Sequence, residues 1–461
     1  MFSRVVFLAA TASLLVFGSP HVSGTEWFVD GSVVESGDGQ TSETAFKTIQ
    51  EGINAASEGD MISVLPGHYV ERFIIRKSLS LVGSGPEVTV IDADGKPGAI
   101  ALIAPRYKDW DSKDRSYDRE RKQFRIEGFA IINSATDAVG AIHCFYGDLT
   151  LKDCKIRGNS GKFGAALFLE ESSAEITGCE MIANSAEEAG GAIYTWASEV
   201  VVRDCVVSEN TSSEGGGLFC WHSEPRIVRT VLSENAAEKG GAVLCEEGPV
   251  VLVNCTIADN SATEGAGGIH CQEAAPGPSV LLAMNSIIWG NGLAFSGGWR
   301  PAISFSNAEN PSFSGLKGNI SAPPMFVDAA AGDYNLQPGS PCIDAGNSEP
   351  AYNDEDGSRC DMGAFGGRGD TSGIVGYAGI AHVTTETFGF VPFDDKCMVI
   401  YWIADPAAGL GFRLQRKEHM QDSWRDAATL GPDEEWVHEW VDIFHPVDRY
   451  ERMFYRMGAV E

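Results

Sequence analysis

Gly190-Gly191-Ala-Ile-Tyr-Thr-Trp196, Glu199-Val-Val-Val-Arg-Asp-Cys-Val-Val207 and Ser208-Glu209-Asn210 form one unit of a repeat that fills the middle of the chain. Asparagines return at Asn133, Asn159, Asn184, Asn210, Asn235 and Asn260, with successive differences of 26, 25, 26, 25 and 25, and a looser copy ends at Asn291. Five residues before each stands Gly128, Cys154, Cys179, Cys205, Thr230 or Cys255. A small-residue start follows at Gly140, Gly164, Gly191, Gly216, Gly241 or Gly267. The apolar runs are short, rich in Val and Ile, and bounded by Gly, Ser and Asn, which predicts strands rather than a helix.

A period near 25 with three short strands per turn, each stacked about 4.8 Å above its equivalent, predicts a parallel β-helix solenoid. Asn tolerates left-handed backbone and forms amide ladders, so the Asn column reads as a turn ladder inside the stack. Cys144, Cys220, Cys245 and Cys271 share a phase four residues after the small-residue start, with Phe168 and Thr195 in the same slot. Cys154, Cys179, Cys205 and Cys255 share another. Cysteine suits such inward columns as a small hydrophobe, so these eight are expected as free core thiols. Cys342 and Cys360 flank a short loop and are the one pair that could form a disulfide; Cys397 is left over. No CxxC occurs, and no metal site is predicted.

Residues 1–24 carry Arg4, an apolar run from Val5 to Phe17 and a small-residue exit, the pattern of a secretory signal peptide. No later segment is apolar enough to cross a membrane, so the mature protein is expected outside the cell and as a monomer. Lys and Arg number 34 against 64 Asp and Glu, for a net charge of −30. That sign argues against nucleic acid as a partner.

Residues 43–59 place Phe46, Ile49, Ile53 and Ala56 on one helical face, as expected of a helix that caps an open solenoid end. Strands are expected at Met61–Leu65, Phe73–Ile75, Leu79–Val82 and Val88–Ile91. Thr44-Ala-Phe-Lys-Thr-Ile-Gln-Glu51 followed by Gly59-Asp-Met-Ile-Ser-Val-Leu-Pro-Gly-His-Tyr69 resembles the entry of right-handed parallel β-helix proteins of the pectin-lyase-like superfamily. Pro324-Met-Phe-Val-Asp328 through Asp344, with Asp356-Gly-Ser-Arg-Cys-Asp-Met-Gly-Ala-Phe365, resembles the closing segment of secreted bacterial members. The resemblance implies an all-β fold over 25–366: entry and first coils to 103, a charged insertion at 104–125, regular coils at 126–300 and a closing segment at 301–366. A glycine-rich linker, 367–373, leads to residues 374–461. Their alternating strands are similar to fibronectin-type-III-like modules, which implies a small β-sandwich.

The superfamily hosts lyases, hydrolases, esterases and adhesins, so the resemblance is weak for function. The Trp-Ile-Asp-His and Asn-Thr-Asp blocks of its enzymes are absent from the coils, and no catalytic residue carries over. Chemistry is expected where the repeat is broken. After the Cys-phase slot come Phe145 and Tyr146, Glu170, Trp196, Trp221 and His222, Glu246 and Glu247, and Glu273. Indoles stack on sugar rings while carboxylates bind hydroxyls, so Trp196, Trp221, Glu246 and Glu273 are candidate saccharide contacts. His222, Glu247 and Glu170 are the candidate catalytic groups, since carboxylates about one coil apart would suit a retaining glycosidase.

The insertion reads first as a self-neutralising charged loop lying against the acidic stack, and alternatively, through Arg106, Trp110 and Arg115, as a basic, aromatic clamp for an anionic sugar. Two acidic sets, Glu188, Glu214, Glu238 and Glu264, and Glu209, Glu234 and Asp259, read as columns on a solvated face, with a bridging Ca²⁺ as the alternative. The expected function is binding of polysaccharide or cell-envelope material. The alternatives are a polysaccharide lyase or glycoside hydrolase and a structural spacer.

Overall fold

In the computed structural model, the described residues are 24–96, 101–103, 121–135, 139–272, 280–297 and 301–368, together with five strands between 399 and 460. Residues 1–23 of the expected signal peptide, residues 104–120 of the insertion and Glu273 lie outside them, and so do Cys397 and the linker from Gly369.

The described residues between 24 and 368 form a parallel β-solenoid. Each coil contributes one strand to each of three long parallel sheets, of 11, 9 and 10 strands. In the coil of Trp196 these are Ile193–Trp196 in the 9-stranded sheet, Glu199–Arg203 in the 11-stranded sheet and Val206–Ser208 in the 10-stranded sheet. Alternation places Ile193, Thr195, Val200, Val202, Cys205 and Val207 inside, none more than 2% exposed. Each buried apolar side chain contributes about 1.5–3 kcal/mol, and every coil repeats the set.

The three corners share one device. A residue in left-handed backbone is followed by one whose side chain turns inward and bonds to the next coil. At the Asn corner the left-handed residues are Gly158, Ala183, Glu209, Glu234, Asp259 and Gly290. The asparagines that follow them form the ladder: the Nδ2 atoms of Asn159, Asn184, Asn210, Asn235 and Asn260 donate to Oδ1 one coil on at 2.8–3.0 Å. The ladder was expected, but the left-handed conformation belongs to the residue before each asparagine. Asn133 is itself such a residue, with φ 59°, and Ser134 takes its ladder place by donating its N–H to Asn159 Oδ1 at 2.9 Å.

At the second corner the inward residues include Cys154, Cys179, Cys205, Thr230, Cys255, Ser286 and Ser306, where thiol and hydroxyl accept the same kind of backbone bond. Ser172, Ser198 and Ser223 do so at the third.

Two sequence registers need correction. Leu169, not Phe168, stacks between Cys144 and Thr195. Phe168 points outward, because Gly164 of that coil takes the left-handed place that Gly190 and Gly215 take in the following ones. The glutamates before the glycine pairs do not form one column: Glu214 stacks between Ala189 and Lys239, and Glu188 pairs with Lys162 at 2.9 Å. This stagger relieves the repulsion that a continuous carboxylate column would carry.

The helix is shorter than its apolar pattern. It spans Ile49–Ala55, started by a capping box between Thr48 and Glu51. Ile49 and Ile53 join the solenoid core, whereas Phe46 lies ahead of the cap and bridges Val29. The closing segment runs back along the last coils. Arg229 donates to the carbonyls of Gly366 and Gly367, Asn254 to those of Asp361 and Gly363, and Thr256 Oγ1 accepts from Ala364 N–H. Tyr334, 1% exposed, packs there with Val231 and Ala258.

All ten described cysteines are buried and none is disulfide-bonded, Cys342 and Cys360 included. No disulfide joins Cys342 and Cys360: Cys342 Sγ accepts from Asn307 Nδ2 at 3.1 Å and Cys360 Sγ from Asn254 Nδ2 at 3.2 Å. Burial pushes the Cys220, Cys255 and Cys360 thiols up to about 12, where thiolate is scarce. Alkylation without reductant is therefore expected to label these ten only after denaturation; two thiols remaining blocked would restore the Cys342–Cys360 bridge.

The second unit, beyond residue 370, is described by its strands alone. Val399–Trp402 pairs antiparallel with His438–Val441, and Gly411–Lys417 lies between Arg425–Leu430 and Phe454–Val460. No helix among the described residues is long and apolar enough to cross a membrane.

Candidate functional site

The outer face of the 9-stranded sheet carries two rows of side chains, because each four-residue strand points two of them outward. The first row is Phe168, Tyr194, Phe219 and Leu244. Phe168 and Tyr194 stack at 5.0 Å, and so do Tyr194 and Phe219. Phe163, from the segment returning after the Asn corner, meets Tyr194 edge-on at 5.3 Å. With Val139 and Ala189 it covers the row, which is a second small core outside the solenoid. The alternation Ile-Tyr-Thr-Trp and Leu-Phe-Cys-Trp holds the signal for this row; the sequence reading passed over it.

The second row is Phe145, Glu170, Trp196, Trp221, Glu246 and Gln272, in register from coil to coil. Phe145 is buried, whereas Trp196 and Trp221 are half-buried and stack at 5.9 Å with planes 19° apart. At the adjoining corner His222 lies against Trp221 at 5.3 Å, and its Nδ1 is 2.8 Å from Glu247 Oε2. His222 and Glu247 are both left-handed corner residues, φ 48° and 56°, and the Glu247 side chain is the more covered of the two.

At the other end Glu170 Oε2 lies 3.3 Å from His143 Nε2. Glu246 accepts from Gln272 at 3.4 Å, and burial, with the nearby Glu214 and Glu247 charges, raises its carboxyl above the usual range. Burial first, then Glu246 and Glu170, pushes the Tyr194 phenol up to about 12.

The structure thus brings Trp196, Trp221, His222, Glu246 and Glu247 together and sets Glu170 at the far edge. His143 and Gln272 join them without having been predicted. His222 and Glu247 lie one coil apart, as expected, whereas Glu170 is remote from both. Glu170 and Glu246 share a column but are separated by the two tryptophan coils, so three strand spacings, about 14 Å, lie between them. A retaining pair needs about 5–5.5 Å and an inverting pair about 6.5–9.5 Å. Arg106, Trp110, Arg115 and Glu273 lie outside the described residues. Among the described residues no cluster of three or more His, Cys, Asp or Glu side chains is placed to hold a metal ion.

Residues 140–316 match the family model of the right handed beta helix region, and the solenoid is a right-handed parallel β-helix. Solved structures similar to the chain include a pectate lyase, with 13% identity and a TM-score of 0.40 over 74% of this chain and 96% of that one. A rhamnogalacturonan lyase gives 11% and 0.39 over 77% and 99%. A mannuronan C-5 epimerase module of Azotobacter vinelandii gives 16% and 0.26 over 60% and 93%. Similarity at this level says nothing about chemistry. No curated protein matches the chain.

Proposed function

We propose that the protein is exported and binds polysaccharide or cell-envelope saccharide along the outer face of its 9-stranded sheet. The observation that carries this reading is the stacked Trp196–Trp221 pair, half-buried on a rigid strand register and bordered by polar groups. The covered aromatic row beneath fixes both indoles, so little rotamer freedom remains to be lost on binding. Glu246, Gln272 and the His222–Glu247 pair stand within reach of the hydroxyls of a ring laid over them. The paired indoles favour binding, and Glu246 with the adjacent Glu247 on one side of them supplies the alternative, a carboxylate-dependent hydrolase or lyase.

Trp221→Ala is expected to weaken retention on an immobilised glycan about tenfold, the effect of roughly 1.4 kcal/mol, since ring stacking is worth about 1–3 kcal/mol by analogy with bases. Affinity electrophoresis of the mature chain across a polysaccharide panel measures this. Glu247→Gln keeps shape and loses charge, so retention is expected to change little. Retention that ignores Trp221→Ala rejects the face. Release of oligosaccharide by the parent chain, lost in Glu247→Gln, would move the reading to an enzyme.

A further inference from the structure

Carboxylates border the tryptophan pair. In its own column Trp196 stands beside Glu170, and Trp221 stands beside Glu246. The corner column alongside runs Glu171, Ala197, His222 and Glu247, all in left-handed backbone. Past that corner Glu199 and Glu224 stand in register on the 11-stranded sheet. Ala197 is exposed and carries only a methyl group, which leaves a gap in the corner column beside Trp196.

Positive charge is scarce on the same ground. Among the described residues Glu170 and Glu247 are paired only with imidazoles, His143 at 3.3 Å and His222 at 2.8 Å, and Glu246 forms no ion pair. Burial, then the Glu214 and Glu247 charges, raises the Glu246 carboxyl, and Gln272 and His222 counter this only in part. A cation beside Glu246 would offset that repulsion and make a charge-assisted hydrogen bond. A uronate in the same place would add a further like charge, which costs affinity. Glu170 and Glu246 stand three strand spacings apart, about 14 Å, a distance that a glycan of a few rings can span.

On the strength of the saccharide reading, we propose that the same face takes a glycan of amino sugars with free, protonated amino groups, its rings against the indoles and an ammonium on Glu246. Acetylation of the amine removes its charge, so the N-acetylated form of the same glycan is held less tightly. Galacturonan, whose rings carry carboxylates, is held least. Glu247 contributes less than Glu246, because His222 already occupies it.

The test titrates the whole purified chain by calorimetry at about pH 6.5, where amine and carboxylate are both charged, in about 0.15 M salt. The probes are the tetramers of glucosamine, N-acetylglucosamine and galacturonic acid, with tetralysine as a bare polycation. The glucosamine tetramer is expected to bind at least about tenfold tighter than the N-acetylated one. Glu246→Gln is expected to remove most of that difference and leave the N-acetylated tetramer unchanged, while Trp221→Ala weakens both. Glu35→Gln, which removes an exposed charge from the entry segment, is expected to change neither. An N-acetylated or galacturonate tetramer bound as tightly as the glucosamine one overturns the amine preference, and the saccharide reading survives if Trp221→Ala still weakens it. Tetralysine bound equally well, or Glu35→Gln acting like Glu246→Gln, assigns the binding to the net charge of −30 and overturns the proposal. Binding of no tetramer, or binding that ignores Trp221→Ala, overturns both readings. The ranking of probes on the unaltered chain decides the preference even where a variant folds poorly.

Discussion

Asn210→Ala is expected to lower the unfolding free energy by about 4 kcal/mol, while Glu209→Gly, one residue away, changes it by no more than about 1. Asn210 Nδ2 donates to the Met181 carbonyl and to Asn235 Oδ1, both at 2.9 Å, and its Oδ1 accepts the Asn184 N–H at 2.9 Å. Alanine leaves that N–H buried without a partner, at about 1–3 kcal/mol, removes the acceptor of Asn184 Nδ2, and adds a void. Glu209 is exposed and left-handed. Glycine there relieves the conformation but adds unfolded-state freedom, and the two nearly cancel. Denaturant melts of both variants measure the contrast, and equal losses would remove the ladder as the element that sets the corner.

Gly191→Ala is expected to cost about 3 kcal/mol or more, against about 1 kcal/mol for the same change at Gly158. A Cβ at Gly191 would lie 2.1 Å from the Gly216 carbonyl oxygen and 2.7 Å from that of Thr211. These are backbone atoms of the next coil and cannot swing aside, so the coils must part. Gly158 has φ 63° and nothing within 4 Å of its Cβ position; alanine there meets only the left-handed penalty of about 1–2 kcal/mol, which Ala183 already tolerates one coil on. Thermal melts at matched concentration compare the two. A Gly191→Ala protein as stable as Gly158→Ala would mean that the coils are less tightly apposed than described.

The coil period and its ladder were legible because each corner repeats a chemical demand, an inward hydrogen-bonding side chain after a left-handed residue. What spacing alone missed was register. The interval alternates between 25 and 26, so Asn133 and Phe168 were each assigned one place away from the slots that Ser134 and Leu169 fill. The helix was overextended because an amphipathic spacing does not show where Thr48 and Glu51 close a cap. Cys342 and Cys360 are near in sequence, but each sulfur accepts from a different asparagine, Asn307 or Asn254. For the candidate site, the tryptophan pair and His222–Glu247 were readable as breaks in a column. The row of Phe168, Tyr194 and Phe219 was not, because alternation does not tell which outer face a returning loop will cover.

The closing segment gives the solenoid a direction in time. A chain leaves the ribosome N-terminus first, so coils can stack upon one another in the order they appear. The last 45 residues of the solenoid are different, because they reach back across earlier coils to Arg229, Asn254 and Thr256. Gly367 is 138 positions after the arginine that grips it. Until that glycine emerges, the outer side of those coils has no latch, and growth at the far end stays reversible. Once it arrives, the same few carbonyls bolt several coils into one unit. Loss of the strap would leave a protein able to begin its stack at one end and unable to finish it at the other.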